Sequence, residues 1–202
     1  YQMSSCFEKD KISEIKDYYE NEGVVCVKNL FEQDIQSYTK LLPLQTDSRV
    51  ASRKTLCLPS NHKLNDIVYT DPNLQHVFEE LHDYKLKQSS FPLEYREYGP
   101  FSKGMDWHSD LIMYGPSPQI EMVYTVFNDD SKTQFQWVDS NGDTQSIHPQ
   151  KNDMIFVKAG GPLHRVTPLG NNRRGILKIV GNDPSSYPLP SMKKEKKNCP
   201  MV

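Results

Sequence analysis

The spacing of hydrophobic positions changes once along this chain, near residue 90. Before that point apolar residues recur at helical intervals. In "EKDKISEIKDYYENE" (8–22), Ile12, Ile15 and Tyr19 fall on one face, and Gly23 ends the run. The β-branched "VVCV" that follows reads as a strand, and "EQDIQSYTKLL" reads as a second helix ending before Pro43. The stretch 43–63 reads as irregular. "DPNLQHVFEELHDYKL" predicts a third helix, with Asp71 as N-cap, Pro72 at the first helical position, and Leu74, Val77, Phe78 and Leu81 as the buried stripe.

After residue 90 the pattern turns to short apolar or alternating runs: "LEYREYG", "LIMYG", "IEMVYTVFN", "TQFQWVDS", "TQSIH", "DMIFVKA", "HRVTPL" and "RGILKIVG". Gly, Pro, Asn and Asp separate them, and "SNGD" is a tight-hairpin signal. Helices first and many evenly spaced strands afterwards predict an α+β fold: a double-stranded β-helix, or jelly roll, backed by N-terminal helices. The expected organisation is one domain over 1–185, with a helical part at 1–90 and a jelly-roll core at 91–182. A mobile basic tail over 186–202 is expected to follow.

Composition narrows the classes. A chain of 202 residues can bury one substantial core. A net charge of -2, with no basic stripe, argues against a nucleic-acid partner. The one basic run, "KKEKK" (193–197), reads as a solvated tail. No apolar run approaches the length of a membrane span. Cys6, Cys26, Cys57 and Cys199 show neither CxxC pairing nor dense spacing, so reduced thiols are expected. That expectation points to a soluble intracellular protein. The chain opens at Tyr1 rather than Met, so a trimmed leader is expected, which would leave either the cytoplasm or an organelle such as a plastid.

The candidate chemistry lies in "MDWHSD" (105–110). A His-x-Asp pair alone is a weak signal. His108 and Asp110 gain meaning from His164, which opens "HRVTPLGNNRRGILKIV" on a strand that can fold back over them. Two histidines and one carboxylate on one face of a metal form the facial triad of non-heme Fe(II) oxygenases, leaving adjacent coordination positions open. A co-substrate chelating there through two oxygens would carry negative charge, and a buried cation should receive its far end. Arg174, ten residues after His164, is suited to that by the bidentate fork of its guanidinium. Arg173 is adjacent, and strand alternation points only one of the two inward.

These residues resemble the Fe(II)/2-oxoglutarate-dependent dioxygenases, prolyl 4-hydroxylase-like branch. The match lies in "HSD" and in "HPQKNDMIFVKAGGPLHRVTPLGNNRRGIL", where Pro149, Lys151, Asp153, Phe156, His164, Val166, Pro168 and Arg174 follow the family pattern and Asn152 replaces its glycine. "YTVFNDDSKTQF" and "GVVCVKNLFEQDI" are similar to further family segments, and the likeness covers roughly 22–182. It implies His108, Asp110 and His164 as iron ligands. It implies Arg174, or Arg173 as in some members, as the anchor of the 2-oxoglutarate distal carboxylate. A hydroxyl from Tyr98 or Tyr124 is implied beside that anchor, each tyrosine having ordinary core packing as its alternative. The implied cofactor set is Fe(II), 2-oxoglutarate and O2, with ascorbate as a candidate reductant. The implied reaction is hydroxylation or desaturation of an unactivated C–H, with release of succinate and CO2.

Departures bear on the substrate. Met105 stands where relatives carry a tyrosine, and this favours a small molecule over a prolyl peptide or protein. A plastid pigment oxygenase and a non-catalytic jelly-roll binding module are further alternatives. Trp107 should point away from His108 and pack behind the site. "AGGPLH" reads as a turn or as a shaped pocket rim, and His62, His76, His82 and His148 read as structural or exposed. Loop 43–63 offers Arg49, Arg53 and Lys54 to an acidic substrate, or is plain surface.

Overall fold

Ile15 and Tyr19 are fully buried on one stripe of α1 (Ile12–Glu22), and Gly23, in the left-handed region at φ 72°, stops the helix. This is the first element of any length in a computed structural model that describes residues 2, 3 and 6–200. The short β1 (Gln2–Met3) and β2 (Phe7–Glu8) precede it. Then come β3 (Val24–Lys28), a 3-10 turn over Ile35–Tyr38, β4 (Gln45–Thr46), β5 (Arg53–Cys57), α2 (Lys63–Thr70) and α3 (Pro72–His82). The second half contributes β6 (Glu94–Tyr98), β7 (Met105–His108), β8 (Tyr114–Gly115), β9 (Ile120–Asn128), β10 (Phe135–Val138) and β11 (Thr144–Ile147). It ends with β12 (Met154–Lys158), β13 (His164–Val166), β14 (Arg174–Gly181), β15 (Tyr187–Pro188) and α4 (Pro190–Lys197).

The strands form an eight-stranded sheet, β2-β3-β12-β9-β14-β6-β5-β4, and a five-stranded sheet, β1-β11-β10-β13-β7. Alternation splits every long strand of the larger sheet between two environments. Val25, Val27, Met122, Tyr124, Val126, Met154, Phe156, Leu177 and Ile179 pack with α1–α3 in the main core. Val24, Cys26, Ile155 and Val157 face inward, against Phe135, Trp137, Ile147 and Val166 of the smaller sheet. The architecture is therefore α+β, two facing sheets with helices covering the outer face of one. The "SNGD" hairpin joins β10 to β11, with Gly142 at φ 83° and Asp139 accepting from the backbone N–H groups of Asn141 and Asp143.

Four expectations change. "EQDIQSYTKLL" yields only the 3-10 turn, because Ile35 alone is buried within it and Leu41 is 97% exposed. The stretch 43–63 contains the β4–β5 edge of the large sheet, and α2, missed in sequence, begins at its end with the His62 ring accepting from the Leu64 N–H. The tail expected over 186–202 makes packing contacts in its described part: β15 pairs with β8, Met192 is buried, and the Leu189 N–H donates to Met113 O. Lastly, all four cysteines are paired, Cys6 with Cys26 and Cys57 with Cys199. The expectation of reduced thiols fails, and with it the ground for an intracellular setting. The partners are brought together by tertiary packing, so their spacing in sequence carried no signal. Among the described residues no helix is long and apolar enough to cross a membrane.

Candidate active site

His108 ends β7 and His164 begins β13, and the two are directly paired across the antiparallel ladder. Paired residues project to the same side, so both imidazoles enter the space between the sheets, with ring centroids 4.4 Å apart. Asp110 follows β7 and turns its carboxylate toward both. Its Oδ1 is 3.6 Å from His108 Nε2 and 3.4 Å from His164 Nε2. The other ring nitrogens are held by backbone: Nδ1 of His108 meets Asp106 O at 2.6 Å, and Nδ1 of His164 meets Pro162 O at 3.0 Å. Each imidazole is thereby fixed with Nε2 toward the shared point, as backbone carbonyls on the far ring nitrogen fix metal-binding histidines in general. The three donor atoms lie within 4.8 Å of one another. Hydrogen bonding to Asp110 raises the pKa of His108. Burial pushes the Asp110 carboxyl up, but its two histidine partners outweigh this and hold it well below the usual carboxylate range.

The turn of "AGGPLH" clamps this cluster. The Gly160 N–H donates to Asp110 O at 2.9 Å, and Ser109 Oγ donates to Gly161 O at 2.9 Å. Gly160 sits at φ 69°, and a Cβ on Gly161 would lie 2.7 Å from Lys158 O. Trp107 lies on the outer face, its ring 4.7 Å from the Arg165 guanidinium.

A cavity of about 370 Å³ extends from the cluster between the sheets. Arg174 lines it, is fully buried, and has no partner for Nε, Nη1 or Nη2. Burial lowers its pKa. Arg173 points outward, its Nη1 3.0 Å from Glu97 Oε1. Tyr98, opposite Arg174 on β6, also lines the cavity, and its hydroxyl accepts from Arg53 Nη1 at 3.2 Å. Burial raises the Tyr98 phenol, and Arg53, Arg96 and Arg174 more than offset it. Tyr124 is not brought to the cavity. It faces the main core, and its hydroxyl donates to Asn152 Oδ1 at 2.8 Å. Asn152, in place of the family's glycine, is at φ 71° and also bridges Phe31 N and O. The neighbour of Tyr124, Thr125, pairs with the cavity-lining Ile176 and keeps a buried hydroxyl without a partner.

Sequence reasoning missed much of the cavity wall. Cross-strand pairing sets Arg53, Tyr98 and Arg174 in one row, Thr55, Arg96 and Ile176 in the next, and Glu94 beside Lys178 in a third. Asp47 bridges Arg49 (2.9 Å) and Arg53 (2.7 Å). Glu94 bonds Arg96 at 2.8 Å, Thr55 Oγ1 at 2.6 Å, and Arg49. Burial disfavours the Glu94 carboxylate, but Arg96 and Arg49 overcome this and hold it ionised. Lys54 of the same loop is exposed. The available signal was charge repeated on one strand face, at 94 and 96 on β6 and at 174 and 178 on β14, whose other residues are apolar or glycine. His62 caps α2, His148 bonds Thr133 O, His76 is exposed, and half-buried His82, its pKa lowered to about 4 by desolvation, meets the rings of Phe78, Tyr19 and Tyr84 edge-on or tilted.

No family model and no curated protein matches the chain. Solved structures do. A 2OG-Fe(II) oxygenase family oxidoreductase from Burkholderia pseudomallei aligns with TM-score 0.69 at 10% identity, over 89% of this chain and 94% of that one. The α-ketoglutarate-dependent epimerase SnoN of nogalamycin biosynthesis aligns at 0.72 and 12%, over 90% and 84%. A prolyl-4-hydroxylase from Pseudomonas putida aligns at 0.63 and 12%, over 85% and 99%. At these identities the likeness is one of backbone architecture, and it is consistent: the chain has the fold of the 2OG-Fe(II) oxygenases.

Proposed function

We propose that the protein is a non-heme Fe(II) dioxygenase that uses 2-oxoglutarate and O2 to hydroxylate or desaturate an unactivated C–H of a small molecule. The fold is read as a double-stranded β-helix, with the active site between its sheets. Nε2 of His108, Oδ1 of Asp110 and Nε2 of His164 would hold the metal, whose chemistry when bound is the oxidative decarboxylation of 2-oxoglutarate to succinate and CO2, coupled to substrate oxidation. Arg174 would bind the distal carboxylate, with Tyr98 beside it. The carrying observation is Arg174: a fully buried guanidinium with all three nitrogens unpartnered, in the same cavity as the His-Asp-His cluster. Such a cation is costly unless a ligand supplies an anion. The likeness to structures solved with 2-oxoglutarate bound, such as HygX from Streptomyces hygroscopicus, supports the same reading.

A small substrate is favoured because the cavity is modest and α4 contributes Glu195 to its wall, with Asn198 just beyond. The peptide reading has support from a Trichoplax adhaerens prolyl hydroxylase solved with a peptide fragment, similar to this chain at TM-score 0.60. The test is succinate formation dependent on Fe(II), 2-oxoglutarate and O2, screened for stimulation by metabolite and peptide libraries. His108→Ala should abolish metal binding and turnover together. A purified chain that binds neither Fe(II) nor 2-oxoglutarate sinks the reading.

A further inference from the structure

Inward-facing β14 carries a second cation, Lys178, four residues beyond Arg174 and so about 13 Å along the strand. Its Nζ is 3.5 Å from Glu121 Oε1 on β9, with the side chains only 14% and 2% exposed. That separation is at the limit of a hydrogen bond. Glu121 Oε1 is also 3.5 Å from Gln119 Nε2, while Oε2 has no partner. The neighbouring charges are already committed: Glu94 to Arg96 and Arg49, and Asp110 to the histidines. Lys178 and Glu121 are thus a buried, loosely joined pair, with spare ammonium donors and a buried carboxylate oxygen that lacks a partner, and both residues line the one cavity. Burying charges so incompletely satisfied costs stability, unless a ligand completes them.

We propose that Lys178 and Glu121 form the substrate subsite and take the head group of a free α-amino acid, its carboxylate on Lys178 and its ammonium on Glu121 Oε2. Charge balance selects this class. A simple anion would bring negative charge beside Glu121, and a simple cation would bring positive charge beside Lys178. A zwitterion completes both groups with charge-assisted hydrogen bonds and adds no net charge to a buried wall. Leu111, Met113 and Val123 line the space beside the pair and leave apolar room for a side chain. Amide-linked residues of a peptide interior lack both head-group charges, so the subsite discriminates against them. As the substrate of the proposed dioxygenase, the amino acid rests on that reading; its binding does not.

The test is calorimetric titration of the full chain with each of the twenty protein amino acids, in one arm with Ni(II) and 2-oxoglutarate and in another with neither. At least one should bind with a dissociation constant below about 1 mM. Its N-acetyl and methyl-ester derivatives should each bind at least about 30-fold more weakly to the same unmodified protein, because each leaves one buried charge unmet. Lys178→Met and Glu121→Gln should each produce a comparable loss while 2-oxoglutarate still binds. The proposal is overturned if no amino acid binds to a chain that binds 2-oxoglutarate, or if blocked derivatives bind as well as free ones. Amino-acid binding without any 2-oxoglutarate binding supports the subsite and removes the dioxygenase reading instead.

Discussion

Gly160 and Asp110 are joined by a 2.9 Å backbone hydrogen bond, so the turn before His164 holds the main chain of the aspartate that follows His108. With Ser109 Oγ donating to Gly161 O, this ties the two halves of the cluster through one main-chain and one side-chain hydrogen bond. Gly161 cannot carry a Cβ without meeting Lys158 O at 2.7 Å. Gly161→Ala should therefore leave a folded chain, by circular dichroism, whose Ni(II) or Fe(II) affinity drops by about 10–100-fold, the usual effect of disturbing an outer shell. Unchanged metal affinity would show that the clamp does not position Asp110.

Arg174→Met separates the two consequences of the buried guanidinium. The variant should lose 2-oxoglutarate binding, by about 2–5 kcal/mol for a truncated partner of a buried ion pair. In ligand-free buffer it should be more stable than the parent, by about 1–3 kcal/mol, because an unpaired buried charge is gone. Denaturant titration and calorimetry measure the two effects, and a less stable variant would contradict this account of Arg174.

A pH dependence follows from Asp153. Burial raises its carboxyl to about 6, against the hydrogen bond from the Gln150 N–H. A carboxyl with a raised folded pKa contributes stability that is full below its unfolded value, near 4, and lost as pH rises through about 6. Unfolding free energy should fall between about pH 4 and pH 7 by no more than about 3 kcal/mol from this group. Asp153→Asn should flatten that slope, and an identical pH profile would exclude Asp153 as its source.

The Cys57–Cys199 link closes 142 residues of chain and fastens α4 beside the cavity. Cys199→Ser should lower stability by about 2–5 kcal/mol. Amide exchange should rise first in α4 and β15, with little change in β9 or β14. Uniform exchange across the fold would argue against a locally fastened strap.

Legibility from sequence followed periodicity. The β-rich second half and α3 were legible because alternation and a capped amphipathic stripe were both strong. His108, Asp110 and His164 could be grouped because the facial triad needs only three residue types in order. The choice between Arg173 and Arg174 was open in sequence and turns on pleat: one reaches Glu97 outside, the other the cavity. Tyr124 was misplaced for the same reason in reverse, since Tyr124 and Thr125 occupy opposite faces of β9. The strap, both disulfides and the Lys178–Glu121 pair depend on segments far apart in the chain. No local pattern encodes them.

The unpartnered Arg174 has one more consequence. A dicarboxylate bound there, as proposed, would bind the folded chain and not the unfolded one, so occupancy would subtract from the population open to proteases. The abundance of that dicarboxylate would then govern how long each molecule survives as well as how fast the proposed reaction runs.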